Sequence, residues 1–134
     1  MPAKKLLSQD KHLLHIDLFC KVCPLKRPRL GRGHAYQPKD NQLITLMMLK
    51  DYKDEGIDVP VYIDINITYS GKEGTFATKH NLGDIDNLQK AILDGLVHWD
   101  IITDDRNVVM IRAVKEYGNS DSATIDIYGV KYVS

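Results

Sequence analysis

The sequence predicts a two-layer α/β (α+β) protein, a mixed β-sheet with two helices packed on one face. Two observations lead to this prediction. Stretches in which apolar and polar residues alternate are typical of half-buried strands, and two other stretches show helical periodicity. Along the chain they follow the order strand, helix, strand, short strand or loop, helix, strand, strand. The length of 134 residues predicts a single domain, residues 1–134.

The first quarter of the chain is predicted to hold one strand and one long loop. Residues 1–11 are polar and are expected to form a flexible start. Alternation of apolar and polar residues predicts a strand over 13–20. Residues 21–37 contain two prolines and two glycines and are predicted to form a loop. Loops of this length in compact domains are often functional.

The first helix and the second strand follow. Pro38 suits the first turn of a helix, and apolar residues cover much of the predicted helix 39–55 before Gly56 ends it. Four apolar residues from Val61 onward alternate with polar ones, which predicts a half-buried strand. Residues 75–81 are predicted as a short strand or loop.

The second helix is the stretch around which the chain is organised. Asp84 is a favourable N-cap, and Gly95 lies near the expected end. The apolar residues that recur at helical spacing are Ile85, Leu88, Ile92 and Leu96. Two carboxylates stand at its start, and Lys90 lies one turn after Asp86 on the polar face.

A second acidic pair, Asp104-Asp105, follows the helix after a short connector. Strands are then predicted over 107–117 and from Ala123 towards Val133. Two acidic pairs that bracket one helix are suited to hold a hard divalent cation, because such ions prefer oxygen ligands.

The net charge is zero, but the charges are unevenly distributed. No acidic residue occurs between Asp17 and Asp40, whereas the acidic residues predominate from Asp84 to Asp105. The basic residues of the first segment are Lys21, Lys26, Arg27, Arg29, Arg32 and Lys39. A basic loop combined with an acidic pocket suggests a phosphate-rich ligand and a metal.

Two further features limit the class of protein. The N-terminus lacks the apolar core of a signal peptide, and no apolar run is long enough to cross a bilayer, so a soluble cytoplasmic protein is expected. Cys20 and Cys23 lack the further ligands that zinc needs, and they run into Pro24 where a redox pair would open a helix. They are predicted to be free structural thiols.

Two blocks of the sequence together resemble the signature of the RusA-type Holliday-junction resolvases. The blocks are Asp84-x-Asp86-Asn87-Leu88-x-Lys90-Ala91-x-x-Asp94-Gly95-Leu96 and Asp104-Asp105-x-x-Val108. Lys26-Arg27-Pro28-Arg29 and Ala35-Tyr36-Gln37-Pro38-Lys39 are similar to the basic loop of that family and its entry to the first helix. One departure is Gly83, where the family often has proline, and it is expected to change the entry to the helix slightly.

The resemblance implies a RusA-like fold and a homodimeric endonuclease that depends on Mg²⁺, with Mn²⁺ as the substitute ion. It would resolve four-way junctions in branched DNA by paired symmetric nicks, in DNA recombination and repair. The implied metal ligands are Asp84, Asp86 and Asp105, with Lys90 as a catalytic lysine. Asp104 and Asn87 would either bind the metal or hold one of its ligands. The residues expected to bind DNA phosphates are Lys26, Arg27, Arg29, Arg32 and Lys39.

Simpler explanations stay open for each residue. Asp84 alone is explained by a helix cap, Asp86 with Lys90 by an ion pair between successive turns, and Asp104-Asp105 by a polar turn. Asp94 fits a solvated helix face as well as a role in the site, and His12, His15 and His80 receive no role. Two other functions remain as alternatives: a non-catalytic DNA-binding module, and a Mg²⁺-dependent phosphohydrolase that acts on nucleotides.

Overall fold

The computed structural model describes residues 6–23, 40–79 and 82–133. Its main elements are β1 (Leu6–Leu18), α1 (Asp40–Leu49), β2 (Val61–Ser70), α2 (Ile85–His98), β3 (Val108–Gly118) and β4 (Ser122–Val133). Short 3₁₀ helices at Lys50–Tyr52 and Asp105–Asn107 follow α1 and precede β3. A mixed sheet with two helices confirms the predicted fold class.

The four strands form one sheet in the order β1-β4-β2-β3. β4 pairs antiparallel with β1 on one side and with β2 on the other. β2 and β3 are parallel, so the chain must cross over between them, and α2 lies within that crossover.

One face of the sheet forms the core, because the strands alternate as the sequence predicted. Along β2, the side chains of Ile63, Ile65 and Ile67 are fully buried, whereas Asp64 and Asn66 between them are half-buried. The buried side chains of the two helices that join the same core are Leu49, Leu88, Ile92 and Leu96. Both helices therefore cover this apolar face, and the other face of the sheet carries polar side chains.

The two helices meet at a glycine. A Cβ atom on Gly95 would lie only 2.5 Å from Cδ1 of the buried Leu49, so a side chain at this position would force the Leu49 side chain to move within the packed core. α2 continues past Gly95 to His98, and this glycine thus provides close helix packing instead of ending the helix. Just beyond, Nε1 of Trp99 donates a hydrogen bond of 2.7 Å to the carbonyl of Leu46.

Two elements differ from the prediction. α1 ends at Leu49 and is followed by a 3₁₀ turn to Tyr52, whereas the predicted helix extended to residue 55. β1 begins at Leu6 instead of residue 13, so residues 6–11 of the predicted flexible start lie in a strand. Their partners are the last residues of β4, as in the pair Leu6 and Val133, and pairing through the backbone needs no apolar alternation. Residues 75–81 were predicted as a short strand or loop; over the described residues 75–79 the loop alternative holds, with only an isolated bridge between Phe76 and Glu116. None of the helices within the described ranges has the length and apolar character needed to cross a membrane.

Candidate active site

The entry to α2 is held by a contact from the sheet. Gly83 has a φ of +92°, a conformation that the ring of proline cannot adopt. Nζ of Lys115, on β3, donates a hydrogen bond of 2.6 Å to the Gly83 carbonyl. Gly83 immediately precedes Asp84, at the position where the family that the chain resembles often has proline. The backbone that enters α2 therefore has a conformation here that a proline could not adopt.

The polar residues at the start of α2 are exposed, and their side chains are little used by the helix itself. Asp84 occupies the N-cap position, yet its carboxylate makes no capping hydrogen bond. Oδ1 of Asp86 accepts only a local bond of 3.0 Å from the backbone N–H of Asn87. Within the part of the chain that the structure describes, no ion pair joins Asp86 to Lys90. The helix-cap and ion-pair explanations are therefore not supported by these contacts.

The second acidic pair divides into two different roles. Asp104 caps the 3₁₀ helix, because its Oδ1 accepts a bond of 2.8 Å from the backbone N–H of Arg106. Its Oδ2 lies 2.9 Å from Nη2 of the same arginine. These bonds from Arg106 lower the pKa of Asp104 to about 2. Asp105 is exposed and stands at the first position of the 3₁₀ helix. The polar-turn explanation therefore fits Asp104, whereas Asp105 presents its carboxylate to solvent.

A short stretch after α1 fixes the connector that leads to these acids. Backbone hydrogen bonds join Gly56 to Asp100 and Ile57 to Ile101. The carboxylate of Asp58 then accepts hydrogen bonds from the Thr103 hydroxyl and the Asn107 side-chain amide. The Thr103 bond, followed by that of Asn107, lowers the pKa of Asp58. Asp58 is thus an anchor of the second acidic pair that the sequence analysis did not find.

The two acidic pairs are brought near each other by the fold, because α2, which follows Asp84, contacts the 3₁₀ helix that starts at Asp105. The carboxylates of Asp84, Asp86 and Asp105 do not form a group in which all ligand atoms lie within 4.8 Å of one another. All three side chains are exposed, and exposed side chains change rotamer within nanoseconds. As a donor set they fit a hard cation, because they offer only carboxylate oxygens.

The basic loop begins beside the entry to α2. Lys26, Arg27, Arg29, Arg32 and Lys39 lie outside the described residues, but the root of the loop at Val22 is buried. The buried hydroxyl of Tyr69 donates a hydrogen bond of 2.7 Å to the carbonyl of Val22, and the carbonyl of Leu82 lies 3.4 Å from it. Burial of Tyr69 raises its pKa, so the hydroxyl keeps its proton and remains a donor. One side chain therefore joins the root of the basic loop to the approach to Asp84.

Residues 21–128 of the chain match the family model of endodeoxyribonuclease RusA. The chain belongs to the RusA family. No curated protein matches it. As a RusA endonuclease it is a hydrolase that acts on DNA junctions, so the alternative of a non-catalytic DNA-binding module is wrong. RusA nucleases are generally dependent on a divalent metal.

The exposure of Asp94 on α2 agrees with a solvated helix face. Just after α2, Trp99 is half-buried, and the ring of His98 stands against its edge with 4.7 Å between centroids. Within the described residues, neither Cys20 nor Cys23 takes part in a disulfide bond. Burial raises the pKa of Cys20, so its thiol is not activated.

The sequence analysis missed three residues whose hydrogen bonds hold the segments around the candidate site: Asp58, Tyr69 and Lys115. Each lies in a different element from the acids that it positions, and no local pattern distinguishes it. Tyr69 continues the buried alternation of β2, but alternation does not indicate the hydrogen-bond partners of its hydroxyl.

Proposed function

We propose that this RusA endonuclease resolves four-way junctions as a Mg²⁺-dependent homodimer, by paired symmetric nicks, in DNA recombination and repair. The observation that carries the proposal is the pair of contacts made by the Tyr69 hydroxyl with the carbonyls of Val22 and Leu82. They connect the root of the basic loop to the segment that enters α2. A DNA strand held by the basic loop would therefore pass close to the carboxylates of α2. Mn²⁺ is the substitute ion.

The metal ligands in this proposal are Asp84, Asp86 and Asp105. Their support is the family signature, their exposure and the contact between α2 and the 3₁₀ helix. A bound Mg²⁺ polarises the scissile phosphate and makes a bound water a stronger nucleophile. Asp104 is engaged by Arg106, and we assign it the task of holding Asp105 in place instead of binding the ion.

Lys90 is the proposed catalytic lysine. It lies one turn after Asp86 on the same exposed face, and within the described ranges it takes part in no ion pair. Its ammonium group can therefore contact a phosphate oxygen and stabilise the negative charge that develops in the transition state. Asn87 is exposed beside Asp86, and we place it next to the metal ligands.

DNA binding is assigned to Lys26, Arg27, Arg29, Arg32 and Lys39. These side chains would hold backbone phosphates, and such contacts fix the position of DNA without reading its sequence. The loop contains no acidic residue, so it presents an uncompensated positive charge to the duplex arms.

The site is tested with a synthetic four-way junction and a linear duplex of the same sequence. The parent should cut the junction and spare the duplex, and only when Mg²⁺ or Mn²⁺ is present. Asp86→Asn should lose cleavage while it retains junction binding, because it removes a metal ligand and no DNA contact. Asp94→Asn is the matched control, since it changes an exposed acid two turns further along α2. Equal cutting by the parent and Asp86→Asn would exclude this site.

The paired nicks and the dimer are tested with a supercoiled plasmid that extrudes a cruciform. Paired nicks within one encounter convert it directly to the linear form, whereas independent nicks first accumulate the open-circular form. Sedimentation analysis should give twice the mass of one chain. A monomeric enzyme that yields mainly open circles would overturn this part of the proposal without affecting the assignment of the acids.

A further inference from the structure

A second set of ligating side chains lies on the face of the sheet opposite the helices. Nε2 of His12 lies 2.9 Å from Oδ1 of Asp126, and Nδ1 of His15 lies 2.7 Å from the same oxygen. The ligand atoms of these three residues all lie within 4.8 Å of one another. Across residues 6–23, 40–79 and 82–133, no other group of three such residues comes this close.

An irregularity in β1 creates this cluster. Residues three apart in a regular strand point to opposite faces of the sheet, so His12 and His15 should be separated. The pairing of β1 with β4 shifts its register on both sides of His12, between Gln9 and His12 and between His12 and Leu14. Leu13 and Leu14 consequently both pack against the core. The bulge thereby turns both imidazoles towards Asp126, and re-aiming a side chain is a recurrent use of bulges.

Neighbouring side chains also fix the orientation of the two imidazole rings. Nε2 of His15, the ring nitrogen that does not face Asp126, lies 2.9 Å from Oδ1 of Asp17. The ring of His12 stands edge-on to Tyr128 with 4.9 Å between centroids. A carboxylate bound to the outer nitrogen of an imidazole fixes its tautomer and orientation, and metal-ligating histidines almost always have such a partner.

We propose that His12, His15 and Asp126 bind one Zn²⁺ ion, with the fourth position open to solvent. Two imidazoles and one carboxylate are a donor set that zinc accepts in tetrahedral sites, whereas Mg²⁺ prefers oxygen ligands alone. The side chains of His12 and His15 are 45% exposed and that of Asp126 is 23% exposed, so an ion can enter from solvent. The ion would join β1 to β4 on the face opposite α2, and this site is separate from the nuclease carboxylates.

The proposal is tested by titrating the full chain with Co²⁺, which reports tetrahedral coordination by its visible absorption, and with Zn²⁺ in a calorimeter. The titrations use a Cys20→Ser/Cys23→Ser background and an excess of Mg²⁺, because thiolates and the proposed nuclease carboxylates also bind both metals. We expect one ion per chain and a rise in the melting temperature with Zn²⁺, since a ligand that binds only the folded state stabilises it.

Variants then locate the ion. His12→Gln and His15→Gln should each weaken Zn²⁺ binding by more than about 100-fold, and Asp17→Asn by about 10- to 100-fold through loss of the orienting bond. Two matched controls should bind as the parent does: His98→Gln, an exposed histidine on α2, and Asp86→Asn in the nuclease site. His12 is an exposed residue, so the His12→Gln variant should stay folded even if His15→Gln does not.

Two results would overturn the proposal. One is an absence of Zn²⁺ binding to the folded parent, which would show that the cluster is only a hydrogen-bonded network. The other is binding that persists in His12→Gln, or that disappears in Asp86→Asn, because the ion would then lie elsewhere. Cleavage of junctions by the parent would be unaffected by either result, so the nuclease proposal is tested separately.

Discussion

Lys115 holds the carbonyl of Gly83 at 2.6 Å, so a residue of β3 fixes the backbone immediately before the first acid of α2. The bond joins residues 32 positions apart. It positions Asp84 without contact to DNA or metal in the proposed mechanism. In the proposed mechanism, the position of Asp84 therefore depends on the sheet as well as on α2.

Lys115→Met should lower the rate of junction cleavage about 10- to 100-fold, because small misplacements of catalytic groups have effects of this size. We expect kcat to fall while junction affinity stays the same, and Lys115→Arg should recover part of the activity. The measurement is single-turnover cleavage together with a gel-shift titration. Lys53→Met, a change in an exposed loop, is the control. An unchanged kcat in Lys115→Met would show that the Gly83 contact does not position the site.

Tyr69→Phe should destabilise the protein by about 1–3 kcal/mol, because it leaves a buried carbonyl without its donor. Urea unfolding measures this loss. We also expect weaker junction binding, since the hydroxyl anchors the basic loop at Val22. A variant with lower stability but unchanged junction affinity would mean that the loop does not depend on this anchor for its position.

Gly95→Ala tests the close packing of the two helices. Alanine favours a helix over glycine by up to about 1 kcal/mol. The new methyl group would meet Leu49, and overpacking of this kind typically costs about 1–3 kcal/mol. We expect a net loss of stability by urea unfolding. In a Leu49→Ala background the same change should become neutral or stabilising, because the space is then free, and a loss of equal size there would contradict the packing explanation.

The effect of pH on stability should reveal the histidine network. Hydrogen bonds from His15 to Asp126 and Asp17 raise the pKa of His15, so the folded state holds its proton more tightly than the unfolded state does. The resulting stabilisation is complete below the unfolded pKa of about 6.5 and is lost as the pH rises through the folded value. Urea unfolding of the metal-free protein at several pH values should show this loss in the parent and not in His15→Gln.

Asp126 should affect the stability at acidic pH. Burial alone would raise its pKa, but the hydrogen bonds from His15 and His12 outweigh burial and lower it. Its contribution is therefore present above the unfolded pKa and is lost as the pH falls through the folded value. A parent whose stability is flat across both ranges would show that these contacts add little.

The salt dependence of junction binding should identify the contribution of the basic loop. If Arg27 contacts one phosphate, Arg27→Ala should reduce the slope of log affinity against log salt by about one. Junction binding in Ca²⁺ at increasing salt gives this slope without cleavage. Lys72→Ala, an exposed lysine in the turn after β2, should leave the slope unchanged. Equal slopes for the two variants would remove Arg27 from the DNA contact.

Much of the fold could be predicted because local pattern and tertiary packing agree. β2, α2 and β3 lie within two residues of their expected bounds, since their buried faces repeat with the period of their own structure. β1 could not be bounded, because its first residues pair through the backbone with the end of β4. Gly95 was read as part of a helix end, since the approach of Leu49 is invisible in a local window.

In the candidate site too, features of the local sequence could be predicted and contacts between distant residues could not. Asp84, Asp86 and Asp105 were proposed from the spacing of acidic residues in the sequence. All three positions lie within the matched residues 21–128. Lys115 and Asp58 act across elements that are adjacent only after folding. His12 and His15 received no role, because regular alternation would have placed them on opposite faces and a bulge cannot be inferred from their spacing.

Trp99 is the single tryptophan of the chain, and its indole hydrogen-bonds to the backbone of α1. The tryptophan fluorescence of the unlabelled protein therefore originates where the two helices meet. An emission shift that precedes the loss of β-sheet circular dichroism would reveal that the helical layer loosens first. Trp99 is thus a natural fluorescent probe for α2, the helix at whose start the proposed metal ligands Asp84 and Asp86 lie.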